Sequence, residues 1–174
     1  MMLSSEITYL ADITKPKLID VIPVSTLVDQ IKKGHPKVTE YRTILDELNK
    51  IDENKDPGDF KKHKTRTDRF KKTLPAYAIA GLFGNNVTNK QFKSSSGLFL
   101  VDIDKLMDSE EVNNVKQTLA GIPSVAFAFI SPGALGLKAA FRICPTLIRN
   151  DKNFYTAFKV IEAWLTDEFA IGID

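Results

Sequence analysis

Two aspartates, one residue apart, close an apolar run in "LFLVDIDK", residues 98–105. In an extended chain successive side chains alternate between faces, so Asp102 and Asp104 project together from the end of this run. Two carboxylates held that close repel each other unless a cation sits between them. The chemistry that suits them is binding of Mg²⁺ or Mn²⁺, hard cations that prefer oxygen ligands. A plain strand end with two solvated aspartates fits the same residues, because so short a motif recurs by chance.

A second stretch, "FISPGALGLKAAFRI" (129–143), carries a glycine-rich turn and then a lysine. Ser131, Gly133 and Gly136 can bring backbone N–H groups close to phosphate oxygens. Lys138 can add a point charge, and Arg142 shares its face by strand alternation. The motif is not a Walker A loop, which needs G-K-[ST] and a following helix, whereas residues 137–143 read as strand. A hairpin whose glycines only make the turn accounts for the same residues. The third stretch is a basic block, "KKHKTRTDRFKK" (61–72), with Lys61, Lys62, Lys64, Arg66, Arg69, Lys71 and Lys72 against one aspartate. Such a block can follow a phosphate backbone, or it can be the solvated face of a helix.

The elements that must position these residues differ between the two parts of the chain. The first seventy residues read as helical and polar. "VSTLVDQIKKG" spaces Leu27, Val28 and Ile31 helically before Gly34, and "VTEYRTILDELNKI" sets Tyr41, Ile44, Leu45, Leu48 and Ile51 on one stripe. After "NKDPGD", a loop by composition, the basic block continues as helix to about residue 72. Then the texture changes. "YAIAGLF" (77–83), "SGLFLVDID", "SVAFAFI" (124–130) and "LKAAFRI" (137–143) read as strands. "SEEVNNVKQTLAG" reads as a helix capped by Ser109, and residues 151–168 as another, capped by Asn150 or Asp151, with Phe154, Phe158, Ile161 and Leu165 inward. "AIGID" reads as the start of a last strand.

From Leu98 onward this is β-α-β-β-α-β, an α+β pattern of the RRM-like or ferredoxin-like kind, with a helical extension at residues 1–72 and the core at 73–174. In that arrangement the last strand lies antiparallel beside the first, which would bring Asp174 to Asp102 and Asp104 as a third carboxylate.

Composition sets the outer limits. At 174 residues, 43% of them hydrophobic, the chain can bury a real core, and its net charge of +2 selects no partner. No apolar run approaches the roughly 20 residues that span a bilayer, so no membrane partner is expected. One cysteine, Cys144, excludes an internal disulfide and a cysteine-rich zinc site, and a cytoplasmic setting is the expectation.

"LPAYAIAGLFG", "SSGLFLVDIDKL", "AFAFISPGALGLKAAFRI" and the terminal "GID", in this order, resemble the primase-polymerase domain of the archaeo-eukaryotic primase superfamily. The nearest likeness is to its bacterial mobile-element and phage branch, VirE N-terminal-like, over residues 72–174. The resemblance implies an RRM-like palm and two divalent metals on Asp102, Asp104 and Asp174. It also implies triphosphate contacts from Ser131, Gly133, Gly136 and Lys138, and nucleotide transfer on a DNA template. This chain departs from the family by carrying Lys138 where many members have histidine, and by a Ser-Pro-Gly-Ala turn. Relatives continue past the point where this sequence stops, so a longer protein is expected, with a helicase or other domain beyond. Two other readings stand beside it: a non-catalytic RRM-like nucleic-acid-binding module, and a haloacid-dehalogenase-type phosphatase, whose D-x-D would need parallel βαβ units.

Overall fold

The computed structural model describes residues 5–11, 19–147 and 151–173; Asn150 and Asp174 lie outside them. Along the chain run β1 (Glu6–Leu10), β2 (Ile19–Pro23), α1 (Val24–Lys33), α2 (Pro36–Asn49) and α3 (Pro57–Lys71). The short strands β3 (Ala76–Ala78), β4 (Gly81–Phe83) and β5 (Phe92–Ser95) follow. Then come β6 (Leu98–Ile103), α4 (Ser109–Ala120), β7 (Val125–Ile130), β8 (Leu137–Arg142) and α5 (Asp151–Phe169). The fold is α+β. Three small antiparallel sheets form, in the orders β2-β1-β3, β4-β5 and β6-β8-β7.

The third sheet positions the residues of interest. β8 lies between β6 and β7 and runs antiparallel to both, so β6 and β7 are parallel with α4 crossing between them. This is a split βαβ unit, the first half of the pattern read from the sequence. Its registers are fixed by which side chains face a core. Phe99, Val101 and Ile103 of β6 and Leu137, Ala139 and Phe141 of β8 pack under Val112 and Leu119 of α4 and Leu165 of α5. Both helices therefore cover one face. α4 starts one residue earlier than its sequence suggested: Asp108, not Ser109, is the cap, accepting from the N–H groups of Glu110 and Glu111 at 2.9 Å. Asp108 does this because its carboxylate reaches two of the unpaired amides of the first turn.

The opposite face is covered too. Leu98 and Ala140 are buried against Ile7, Val24, Leu27 and Ile79. The amino-terminal part is thus not purely helical, and it shares a core with the sheet. β1 and β2 do not stand out in the sequence because their burial does not follow apolar–polar alternation: Ile7 and Thr8 of β1 are both buried, and the apolar Val21 of β2 is exposed. β1 becomes a strand by pairing with β3, some seventy residues away. Tyr77 of β3 donates to Gln30 of α1 at 2.7 Å, and burial pushes its hydroxyl pKa up to about 12.

Two further expectations are corrected. "YAIAGLF" is not one strand: it breaks at Ile79–Ala80 into β3 and β4, which join different sheets. Residues 170–173 form no strand beside β6. Ala170 takes a positive φ of 54°, and the N–H of Ile171 folds back to the Leu165 carbonyl at 3.1 Å. Its side chain then joins the main core, so the apolar character that suggested a strand instead closes the end of α5. Among the described residues the order from Leu98 onward is therefore βαββα, and β6 pairs with β8 alone.

If the amino-terminal elements complete this core, truncating a buried side chain there destabilises the whole fold. Leu27→Ala, at a position 1% exposed, is expected to cost about 2–5 kcal/mol. A denaturant titration showing less than about 0.5 kcal/mol would mean that α1 is a loosely attached appendage.

Candidate functional site

Asp102 stands directly opposite Lys138 in the β6–β8 ladder, and the lysine Nζ contacts Asp102 Oδ1 as an ion pair. The two side chains are 40% and 29% exposed, so water reaches the pair. Continuing the register by one alternation places Asp104 opposite Gly136, just beyond the strand ends. A Cβ on Gly136 would lie 2.5 Å from Asp104 Oδ1, 3.0 Å from the Ile103 carbonyl oxygen and 3.2 Å from Ser131 Oγ. Glycine is required here for close approach: it leaves the space that the Asp104 carboxylate fills. The two carboxylates, the lysine and the turn thus share one face and one end of the sheet.

The turn closes on itself. Ser131 N–H donates to the Gly136 carbonyl at 2.8 Å and Ala134 N–H to the Ser131 carbonyl at 3.0 Å. Ala134 adopts φ 67°, and the Leu106 N–H donates to the Leu135 carbonyl at 3.3 Å, tying the chain after β6 to this turn. Among the described residues the N–H groups of Gly133, Leu135 and Gly136 donate to no backbone carbonyl. Such amides in a tight turn are suited to an anion.

One residue of this site was not anticipated. Arg42 of α2 reaches across some ninety positions of sequence, donating through Nη2 to the Ser131 carbonyl at 3.3 Å and through Nε to the Pro132 carbonyl at 3.4 Å. No local signal marks it, because only the tertiary packing of α2 brings it to the turn. Arg142, by contrast, does not join the site. It shares the face of Lys138 but lies at the far end of β8, where its guanidinium donates to the carbonyls of Pro123 and Val125. The two stand four positions apart along the strand, about 13 Å. Its donors serve the β7 entry instead of the turn.

The basic block forms α3, with Lys72 following its last turn. Lys61, Lys62, Arg66 and Arg69 lie on one face with Gly58, Thr65, Phe70 and Thr73, lining an open depression of about 730 Å³. Arg66 also pairs with Glu47 of α2 at 2.8 Å. Lys64 lies off this face, its Nζ 5.9 Å from the Phe60 ring centre. Lys71 and Lys72 are outside the depression as well. Asp174, the expected third carboxylate, falls outside the described residues, and among those described no three acidic, histidine or cysteine side chains cluster closely enough to hold a metal.

A family model for the BT4734-like N-terminal domain matches residues 69–171. The chain belongs to this family. No curated protein and no solved structure matches it. The BT4734-like segment includes Asp102, Asp104, the turn and Lys138, but β1, β2, α1 and α2 lie before it, and Arg42 with them. No helix among the described residues is long and apolar enough to cross a membrane.

Arg42 holds the same carbonyl that accepts from Ala134, so its removal should loosen the turn while leaving the core intact. Arg42→Ala is expected to change global stability by less than about 1 kcal/mol, since its bonds are exposed. It should nevertheless speed amide exchange at Ala134 severalfold. Unchanged exchange there would show that the arginine contacts do not support the turn.

Proposed function

We propose that this chain is the catalytic module of a nucleotidyltransferase of the primase-polymerase type, adding nucleotides to a 3′-hydroxyl on a DNA template. One observation carries the reading: two carboxylates, a lysine and a turn whose amides donate to no backbone carbonyl among the described residues meet at one end of a split βαβ sheet. The donor set fits the metals the resemblance implies. Asp102 and Asp104 offer hard oxygens on one face, and the site already attracts a cation in the form of Lys138. Held there, Mg²⁺ or Mn²⁺ supplies the positive charge that stabilises the attacking and leaving oxygens of nucleotidyl transfer.

The chain's own groups do the rest. The turn amides of Gly133, Leu135 and Gly136 donate to triphosphate oxygens, Lys138 adds a point charge, and Arg42 keeps the turn in shape. Asp174 is the third ligand of this reading. The basic face of α3 follows the template backbone, which makes template binding weaken steeply with salt. DNA and nucleoside triphosphates are then the partners, a helicase or other domain of a longer protein is a natural companion, and the cytoplasm is the setting.

Two alternatives are weaker. An RRM-like binding module stacks bases on the sheet face opposite its helices, and here much of that face is packed under β1 and α1. A haloacid-dehalogenase-type phosphatase needs parallel neighbouring strands, and every pair in this sheet is antiparallel.

The test is extension of a primed DNA template with ribo- or deoxyribonucleotides in Mg²⁺ or Mn²⁺. Asp102→Asn and Asp104→Asn should each lower the rate by about 100-fold or more. Their melting temperatures should barely move, because the part-exposed ion pair of Asp102 contributes at most about 1 kcal/mol and Asp104 is exposed. Retained activity in both variants would sink the proposal.

Gly136→Ala should have a comparable effect by displacing the Asp104 carboxylate. Gly133→Ala, whose Cβ meets nothing closer than 3.9 Å, should be much milder. Equal effects of the two would mean that the turn's flexibility, and not the space at Gly136, is what matters.

A further inference from the structure

Lys138 has two uses in the site that exclude each other. Its ammonium pairs with Asp102, yet the proposed triphosphate contact needs it at the turn. The sheet shows which way it can move. On the β7 side Lys138 faces Phe129, an apolar neighbour, and on the β6 side it faces Asp102. Two residues back, just before β8 begins, lies Gly136, at the end of the turn whose amides donate to no backbone carbonyl among the described residues. Its flexible four-carbon stem lets the charge swing along the strand between the carboxylate and the turn. Since both partners are part-exposed, the exchange requires no opening of the core.

We infer that Lys138 is the resident counter-ion of the acidic site, surrendering Asp102 to a divalent cation and thereby becoming available to phosphate. This rests on the reading of Asp102 and Asp104 as metal ligands. The lysine and the metal compete for one carboxylate, so the lysine weakens metal binding, and neutralising the carboxylate frees the lysine for an anion. By linkage each effect implies its reciprocal. The two ligands therefore favour each other: bound metal raises the affinity for triphosphate, and bound triphosphate raises the affinity for metal.

The test uses Mn²⁺ alone and tripolyphosphate alone, with no turnover. By electron paramagnetic resonance or calorimetry, Lys138→Met should bind Mn²⁺ about tenfold more tightly than the parent, the effect of removing one nearby like charge. Lys138→Arg, which keeps the charge, should stay close to the parent. Asp102→Asn should bind Mn²⁺ weakly whether or not Lys138 is also replaced. In metal-free buffer Asp102→Asn should bind tripolyphosphate severalfold more tightly than the parent, and Asp102→Asn/Lys138→Met should lose that gain. Circular dichroism confirms folding of each variant, with Lys138→Gln as a substitute if the methionine variant fails. If Mn²⁺ binds the parent and Lys138→Met equally, or the methionine variant more weakly, the exchange is refuted while the metal site stands. If Mn²⁺ binds neither at millimolar concentration, the metal reading itself fails and the exchange with it.

Discussion

The placement of β8 between β6 and β7 is the constraint on which the rest depends. Leu137 and Ala139 are fully buried under the two helices, and Ala140 is fully buried on the other side. Both faces of one strand are therefore committed, and no one-residue slip is tolerated: it would turn Lys138 into the helical core and Leu137 out toward the acidic end. The pairing of Asp102 with Lys138, and of Asp104 with the gap at Gly136, follows from that register. Hydrophobic burial sets the polar geometry here. The charged groups occupy positions that the core has already fixed.

The same sheet shows how one face is divided between support and chemistry. Its first half, Leu98 and Ala140, lies under β1 and α1, and its end carries the carboxylates, the lysine and the turn. Arg142 works at the buried half, satisfying carbonyls where β7 begins with an irregular register between Val125 and Phe127. Arg42 works at the open half, on the carbonyls of the turn. Two arginines thus stabilise opposite ends of the β7–β8 hairpin, and neither could be assigned to its end from charge alone.

Legibility in the sequence followed the range of the interactions. α4, β6, β7 and β8 are readable because alternation, a helical stripe and glycine-bearing turns are local signals. The common direction of Asp102 and Asp104 is readable for the same reason. What escaped depends on tertiary pairing and packing: β1, held by β3 some seventy residues on with β2 at its other edge, and Arg42, which reaches the turn through the packing of α2. Lys138 was legible as a cation near the turn but not as the partner of Asp102, since that depends on a register set by burial of its neighbours. The strand expected at residues 170–173 failed for a related reason. Ile171 is apolar in either case, and only the core decides whether it extends a sheet or closes a helix.

The family-matched segment begins at residue 69, while the core beneath its central sheet is closed by Ile7, Val24 and Leu27. Shared ancestry and physical closure therefore have different borders in this chain. Among the buried side chains of that core, the segment recognisable by descent supplies only Ile79 to cover Leu98 and Ala140, and the rest of their buried cover is drawn from the preceding sequence. Any homologous segment built on a different leader must supply its own cover for the same two positions. Left uncovered, that half-sheet would present an apolar patch of the kind that drives association.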